Sequence, residues 1–183
     1  MEATSNLKLD HVTLRRVRDI VQTCSDKLYA NENIPLEDIK IISVVIEEFV
    51  DRYHHGKEEK AYFPQTEEKD DFSEDIRKFL IEHELGRRIA KMLVSHLMQW
   101  QAGKESREPV ARFLKSYAAF ITDHTGKEDR FFDMVEEKQS LSTDESQMLL
   151  KHYEQCKNYV GGQERIEELL RLIEYLEARD WMR

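Results

Sequence analysis

Two stretches decide the fold: His54-His55-Gly56-Lys57-Glu58-Glu59 and Asp123-His124-Thr125-Gly126-Lys127-Glu128. In each, a histidine precedes a glutamate by four residues, His54 before Glu58 and His124 before Glu128. The two stretches belong to a weak internal repeat, Lys57-Glu58-Glu59-Lys60-Ala61-Tyr62-Phe63 against Lys127-Glu128-Asp129-Arg130-Phe131-Phe132. An α-helix stacks residues i and i+4 on one face, so each pair can offer a nitrogen and a carboxylate to the same small volume. The row Ser116, Phe120, His124, Glu128, Phe132 is apolar on both sides of the pair, which predicts that His124 and Glu128 look inward. On the earlier helix the row Ile46, Val50, His54, Glu58, Tyr62 is apolar upstream. The neighbouring row Glu47, Asp51, His55, Glu59, Phe63 is acidic. This predicts His54 and Glu58 inward, with His55 and Glu59 toward solvent or a rim.

The flanking sequence supplies the other helices. Leu14, Val17, Val21, Cys24 and Leu28 recur at helical spacing over about Leu9 to Ala30, and His11 lies on their stripe. Asn31 to Pro35 breaks the pattern. The second helix runs from about Leu36 to Phe63 and is expected to stop at Pro64, with Gln65 to Asp71 as a loop. Ser73 is the expected N-cap of a third helix reaching about Gln101. Its expected buried face is Ile76, Phe79, Leu80, Ala90, Leu93, Val94 and Leu97, and His83 falls on that stripe with Gly86 leaving room beside it. The fourth helix spans about Pro109 to Glu137, with Phe113, Tyr117, Phe120, Ile121, Phe131, Phe132 and Val135 inward. Two shorter helices follow. One opens on Ser142-Thr143-Asp144-Glu145, a capping-box pattern. The other follows Gly161-Gly162, with Ile166, Leu169, Leu170, Ile173 and Leu176 on one face.

Short loops make neighbouring helices antiparallel, so the expected fold is all-α: an up-down-up-down four-helix bundle over residues 8–137, with a helical extension over 138–183. Depth then aligns the histidines. At the helical rise, His11 and His54 both lie ~26 Å from the loop they flank. Counting from the other loops brings His83 and His124 to the same level. Four helices thus each bring a histidine to one layer, and Glu58 and Glu128 sit one turn beyond. Buried carboxylates cost several kcal/mol unless a metal or a cation accompanies them. Iron accepts such mixed imidazole and carboxylate ligands, and carboxylates can bridge two metals. A polar cluster closed by hydrogen bonds and Arg87 is the alternative. His96 and His152 have no carboxylate partner pattern and read as packing or surface.

Composition narrows the function classes. The formal net charge of -9 argues against a nucleic-acid partner. No apolar run is long enough for a membrane span. The polar N-terminus has no secretory h-region, which makes a cytoplasmic protein the expectation. Cys24 and Cys156 form neither a CxxC pair nor a disulfide framework and read as two reduced thiols.

The ordered set His, His-x-x-x-Glu, His, His-x-x-x-Glu resembles the hemerythrin-like family of HHE cation-binding domains. The matching residues are Asp10-His11, His54-His55-Gly56-Lys57-Glu58-Glu59, Glu82-His83-Glu84-Leu85-Gly86-Arg87 and Asp123-His124-Thr125-Gly126-Lys127-Glu128. The resemblance implies two non-haem iron ions, oxo- or hydroxo-bridged, held by His11, His54, Glu58, His83, His124 and Glu128, with the glutamates bridging. Oxygen-carrying members have a further histidine one turn after the third-helix ligand, where this chain has Arg87. That departure favours reaction with a small oxidant (O2, NO or peroxide) over reversible carriage. It leaves open whether the protein is an oxidoreductase fed by an electron donor. The other readings are an O2, NO, redox or iron sensor and iron storage or delivery. Repair of iron–sulfur clusters is among the latter, although the cysteine-bearing N-terminal segment of the repair proteins is absent. The C-terminal helices are expected either to pack on the bundle or to serve association, a homodimer being one form of it.

Overall fold

The structure is a computed structural model describing residues 1–69 and 71–183. The expected loop Gln65 to Asp71 contains Asp70, which lies outside the described residues. Among the described residues there are seven α-helices: α1 (Glu2–Tyr29), α2 (Leu36–Val45), α3 (Phe63–Thr66), α4 (Ser73–Gln101), α5 (Arg107–Glu137), α6 (Thr143–Tyr159) and α7 (Gly162–Glu177). Between α2 and α3 the helix continues without a break, wound as π-helix over Ile46–His55 and Glu58–Tyr62. Residues 36–66 therefore form one arm. This arm, α1, α4 and α5 make the up-down-up-down four-helix bundle. α1 and α4 each pack against α5 and against the arm.

Several boundaries differ from the sequence expectation. α1 begins at Glu2, because Ala3, Thr4 and Leu7 extend its buried stripe past His11. The arm does not stop at Pro64 but reaches Thr66. Pro64 sits in the first turn of α3, where a missing N–H is tolerated. Ser73 is not the cap of α4: Phe72 takes that position, and Ser73 is already helical with no capping hydrogen bond. Leu80 and Val94 are exposed on α4, outside the arc that its neighbours cover, and Phe113 is only half-buried. The capping box at Ser142 forms in full, Ser142 Oγ accepting from the Glu145 N–H and Glu145 accepting from the Ser142 N–H. Gly161 and Gly162 both have positive φ, the backbone the sharp turn between α6 and α7 requires.

The core falls into two apolar blocks. One runs from Leu14 to Leu28 on α1, Ile39 to Val50 on the arm, Leu93 and Leu97 on α4 and Val110 to Ile121 on α5; Ile166, Leu169, Ile173 and Leu176 of α7 join it. The other holds Leu7, Ala61 to Phe63, Phe72, Ile76, Phe79, Phe131, Phe132 and Val135, with Leu149 and Tyr153 of α6. Between the blocks lies a polar layer. On each long element it is one helical level: His11 between Leu7 and Leu14, His54 between Val50 and Ala61, His83 between Phe79 and Leu93, His124 between Ile121 and Phe131. Cys24 and Cys156 are both free and buried. Among the described residues no helix is long and apolar enough to cross a membrane.

Candidate metal centre

The layer brings together all six residues singled out from the sequence. His11, His54, Glu58, His83, His124 and Glu128 are each fully buried. Glu58 and Glu128 lie between the histidines. Glu58 turns Oε1 to His54 Nε2 and Oε2 to His83 Nε2, both at 3.4 Å. Glu128 turns Oε2 to His11 Nε2 at 3.4 Å, and Oε1 to His83 Nε2 at 3.4 Å and His124 Nε2 at 3.1 Å. Each carboxylate thus spans two histidine groups, His11 with His54 on one side and His83 with His124 on the other.

An outer ring of acids sets the orientation of every imidazole. His11 Nδ1 meets Asp129 at 2.7 Å, His54 Nδ1 meets Asp10 at 3.1 Å, His83 Nδ1 meets Glu59 at 2.8 Å and His124 Nδ1 meets Glu82 at 2.8 Å. A carboxylate only accepts, so these contacts assign the proton to Nδ1 and leave Nε2 as a bare lone pair toward the centre. This is the arrangement in which a second carboxylate fixes the tautomer of a metal-binding histidine. The acids are tied down in turn. Asp129 accepts from Arg15, Glu59 from Arg87 at 2.6 Å and Glu82 from Lys127 at 2.7 Å. Asp10 is paired with Lys57 at 2.5 Å. Lys57 is itself fully buried, bonded to Asn6 Oδ1 at 2.7 Å and lying 4.2 Å over the Tyr53 ring.

Taken as protein alone, the layer does not balance. His11 Nε2 and His54 Nε2 stand 3.1 Å apart, two acceptors facing one another. Both Glu58 oxygens, both Glu128 oxygens, His83 Nε2 and His124 Nε2 are buried without a hydrogen-bond partner among the described residues. Orphaned acceptors in an apolar interior are costly, and only a cation or protons would satisfy all of them. Protonation is the metal-free solution. Burial opposes charging His54, but Glu58 and Asp10 outweigh it and raise its pKa to about 9. His83 rises to about 9 against the same burial, through Glu128 and Glu59. His124 rises to about 10 through Glu128 and Glu82. Burial would raise the Glu128 carboxyl, yet His124, His11 and His83 hold it well below the usual carboxylate range. The residues present fit metal cations well: His11, His54, Glu58 and Glu128 bring one ligand atom each to within 4.8 Å of one another, as do His83 and His124, with a His55 nitrogen equally near although its ring is stacked on that of His83.

His55 corrects the sequence reading. It does not face solvent but is buried, stacked on His83 at 3.8 Å between ring centroids and 15° between planes, and perpendicular to the His124 ring at 5.5 Å. Its Nδ1 lies 3.4 Å from Asp51, and its Nε2 has no hydrogen-bond partner among the described residues. The i+4 row argument fails here because the arm is π-wound. Each residue turns through a smaller angle than in an α-helix, so directions drift over Ile46–His55. Glu59, by contrast, does lie at the rim, half-buried. Arg87 does not bring its charge to the centre. Its Nε donates to Asp51 at 2.8 Å and its Nη2 to Glu59, at the edge of the layer. The outer acids were also missed, although a signal existed. Asp10, Glu59, Glu82 and Asp129 are each the chain neighbour of a central residue, and each braces a histidine of a different helix. His96 stacks on Phe113, outside the layer.

No curated protein and no solved structure matches the chain. The family model of the hemerythrin HHE cation-binding domain matches residues 2–135, a stretch that contains the whole layer and the four helical arms that build it. The chain therefore belongs to the hemerythrin HHE cation-binding domain family.

Proposed function

We propose that the protein is a non-haem di-iron protein that binds or reduces a small oxidant. The observation that carries this reading is the pair of facing Nε2 lone pairs of His11 and His54, set among four unpartnered carboxylate oxygens. His11 and His54 would hold one iron and His83 and His124 the other, with Glu58 and Glu128 bridging. Mixed imidazole and carboxylate donors with two bridging carboxylates suit iron better than a closed structural zinc site. Iron in this setting supplies electrons and exchangeable coordination positions. Four imidazoles and two carboxylates for two ions would leave such positions open, and Arg87, turned to Asp51 and Glu59, adds no donor to the centre.

This chain's own contribution is to hold the donors rigidly, keep water scarce between two apolar blocks and fix each tautomer through the outer acids. The test is metal analysis of anaerobically purified protein, followed by optical spectra on adding O2 and then NO. Two irons per chain are expected, falling on His54→Ala or His124→Ala, with rapid irreversible oxidation of the reduced protein in air. Absence of iron in the wild type would refute the reading, and reversible uptake and release of O2 would make the protein a carrier instead.

A further inference from the structure

A cavity of about 360 Å³ opens from the surface between the π-wound arm and α4 and ends at His55. Its wall is made by Ile46, Ala90, Leu93, Val94 and Tyr117, and Asp51, Arg52 and Arg87 stand around it. The space is many times the ~30 Å³ share of one water, so small molecules can file down it. Two of the cations around the cavity are paired locally, Arg52 with Glu47 and Arg87 with Asp51 and Glu59, and Lys91 also lines it. The choice of guest therefore falls to the inner end of the cavity.

The inner end is polar because of His55 alone among the central histidines. His55 is not placed as a ligand of the same ion as His83. Both rings would have to contain the metal in their planes, and two planes stacked at 3.8 Å and only 15° apart do not share such a point. It stands beside the site instead, with Nε2 buried and unpartnered, close to the His83 and His124 nitrogens. The Asp51 carboxylate can only accept, so its contact places the His55 proton on Nδ1 and makes Nε2 an acceptor. Arg87 holds Asp51 in place. An acceptor at the inner end of the cavity selects a guest that brings its own O–H.

We propose that this cavity is the entry path to the centre and that His55 Nε2 receives the hydrogen bond of a small neutral hydroperoxide, hydrogen peroxide being the simplest, in preference to O2 or NO, which have no proton to donate. The inference rests on the di-iron reading above. With the two ferrous ions of that reading bound, one H2O2 would accept one electron from each and two protons from solvent. Its O–O bond breaks and two waters leave.

The experiment has two arms. In the zinc-loaded, diamagnetic protein, imidazole nitrogen NMR reads the His55 tautomer, with the proton expected on Nδ1. In single-turnover oxidation of the diferrous protein, His55→Leu should slow reaction with H2O2 by about tenfold, the worth of one hydrogen bond, and change reaction with O2 by less than about twofold. His55→Gln, whose amide oxygen can accept, should restore most of the peroxide rate. Val94→Trp, which fills the cavity wall, should slow both oxidants at unchanged iron content. A proton on Nε2, equal losses for both oxidants, loss of one iron in His55→Leu, or no effect of Val94→Trp would each overturn the proposal. If the wild type binds no iron at all, the di-iron reading falls with it, so iron content separates the two failures.

Discussion

At the scale of single residues, the layer works through a division of labour between inner and outer carboxylates. Glu58 and Glu128 face inward with unpartnered oxygens, while Asp10, Glu59, Glu82 and Asp129 face the Nδ1 atoms. Removing an outer acid should leave the fold intact and loosen the metal. Asp129→Asn is expected to weaken metal affinity by about 10- to 100-fold, the usual worth of such a partner, in competition with a chromophoric chelator. An unchanged affinity would mean that Asp129 serves Arg15 alone. The histidines also give the metal-free protein a pH signature. His54, His83 and His124 have folded pKa values of about 9, 9 and 10, raised above 6.5. A raised histidine stabilises the fold fully below its unfolded pKa and loses that contribution as pH climbs through the folded value. The metal-free protein should thus melt at lower temperature at pH 9.5 than at pH 6.5, and metal loading should abolish the trend. A flat or rising profile for the metal-free form would contradict the coupling between these histidines and the two glutamates.

At the scale of elements, the arm over residues 36–66 departs most from regular geometry, and it does so where the site needs it. Its π winding makes 54–58 a run buried on every side, with His55 toward α4 and α5 and Lys57 toward α1 and α6. Long π segments are rare and concentrate at functional sites. α4 matches the arm with Gly86. A Cβ there would lie 2.5 Å from the Phe120 ring, and Phe120 stacks on His124 at 5.0 Å. Gly86→Ala should push that ring onto the layer and cost about 1 to 3 kcal/mol, the usual range for overpacking a core, minus what the helix gains from alanine. Denaturant unfolding of the metal-loaded protein reads this directly. A stabilised variant would show that Phe120 moves freely.

At the scale of the whole molecule, the C-terminal helices are part of the same body as the bundle. α7 enters the first apolar block, and the chain end is pinned by Asp38, which is buried on the arm. Asp38 accepts from Trp181 Nε1 at 2.8 Å, from Arg179 Nε at 2.9 Å and from Tyr175 Oη at 3.3 Å. Asp38→Ala leaves the buried Trp181 N–H without its partner and should cost about 1 to 3 kcal/mol, seen as a lower melting temperature and faster amide exchange in residues 162–182. If exchange there is unaltered, the apolar face of α7 holds the chain end without the aspartate. α6 in turn covers the outer side of the arm, placing Tyr153 5.3 Å from Lys57 and Cys156 Sγ 3.5 Å from the Gly56 carbonyl.

The sequence alone determined the helical class, the order of the arms and the inward row of His54, Glu58 and Tyr62. These rest on local periodicity, which the chain carries within a few turns. It also determined that His11, His83 and His124 share one level, because a fixed rise per residue converts sequence distance into depth. Only the tertiary structure decided where His55 points, because the arm is π-wound over Ile46–His55 and α-helical rows cannot forecast directions there. Only the tertiary structure paired Asp10 with His54, Asp129 with His11, Glu59 with His83 and Glu82 with His124. Those partners sit on different helices, and no periodicity within one helix specifies which acid of one meets which imidazole of another.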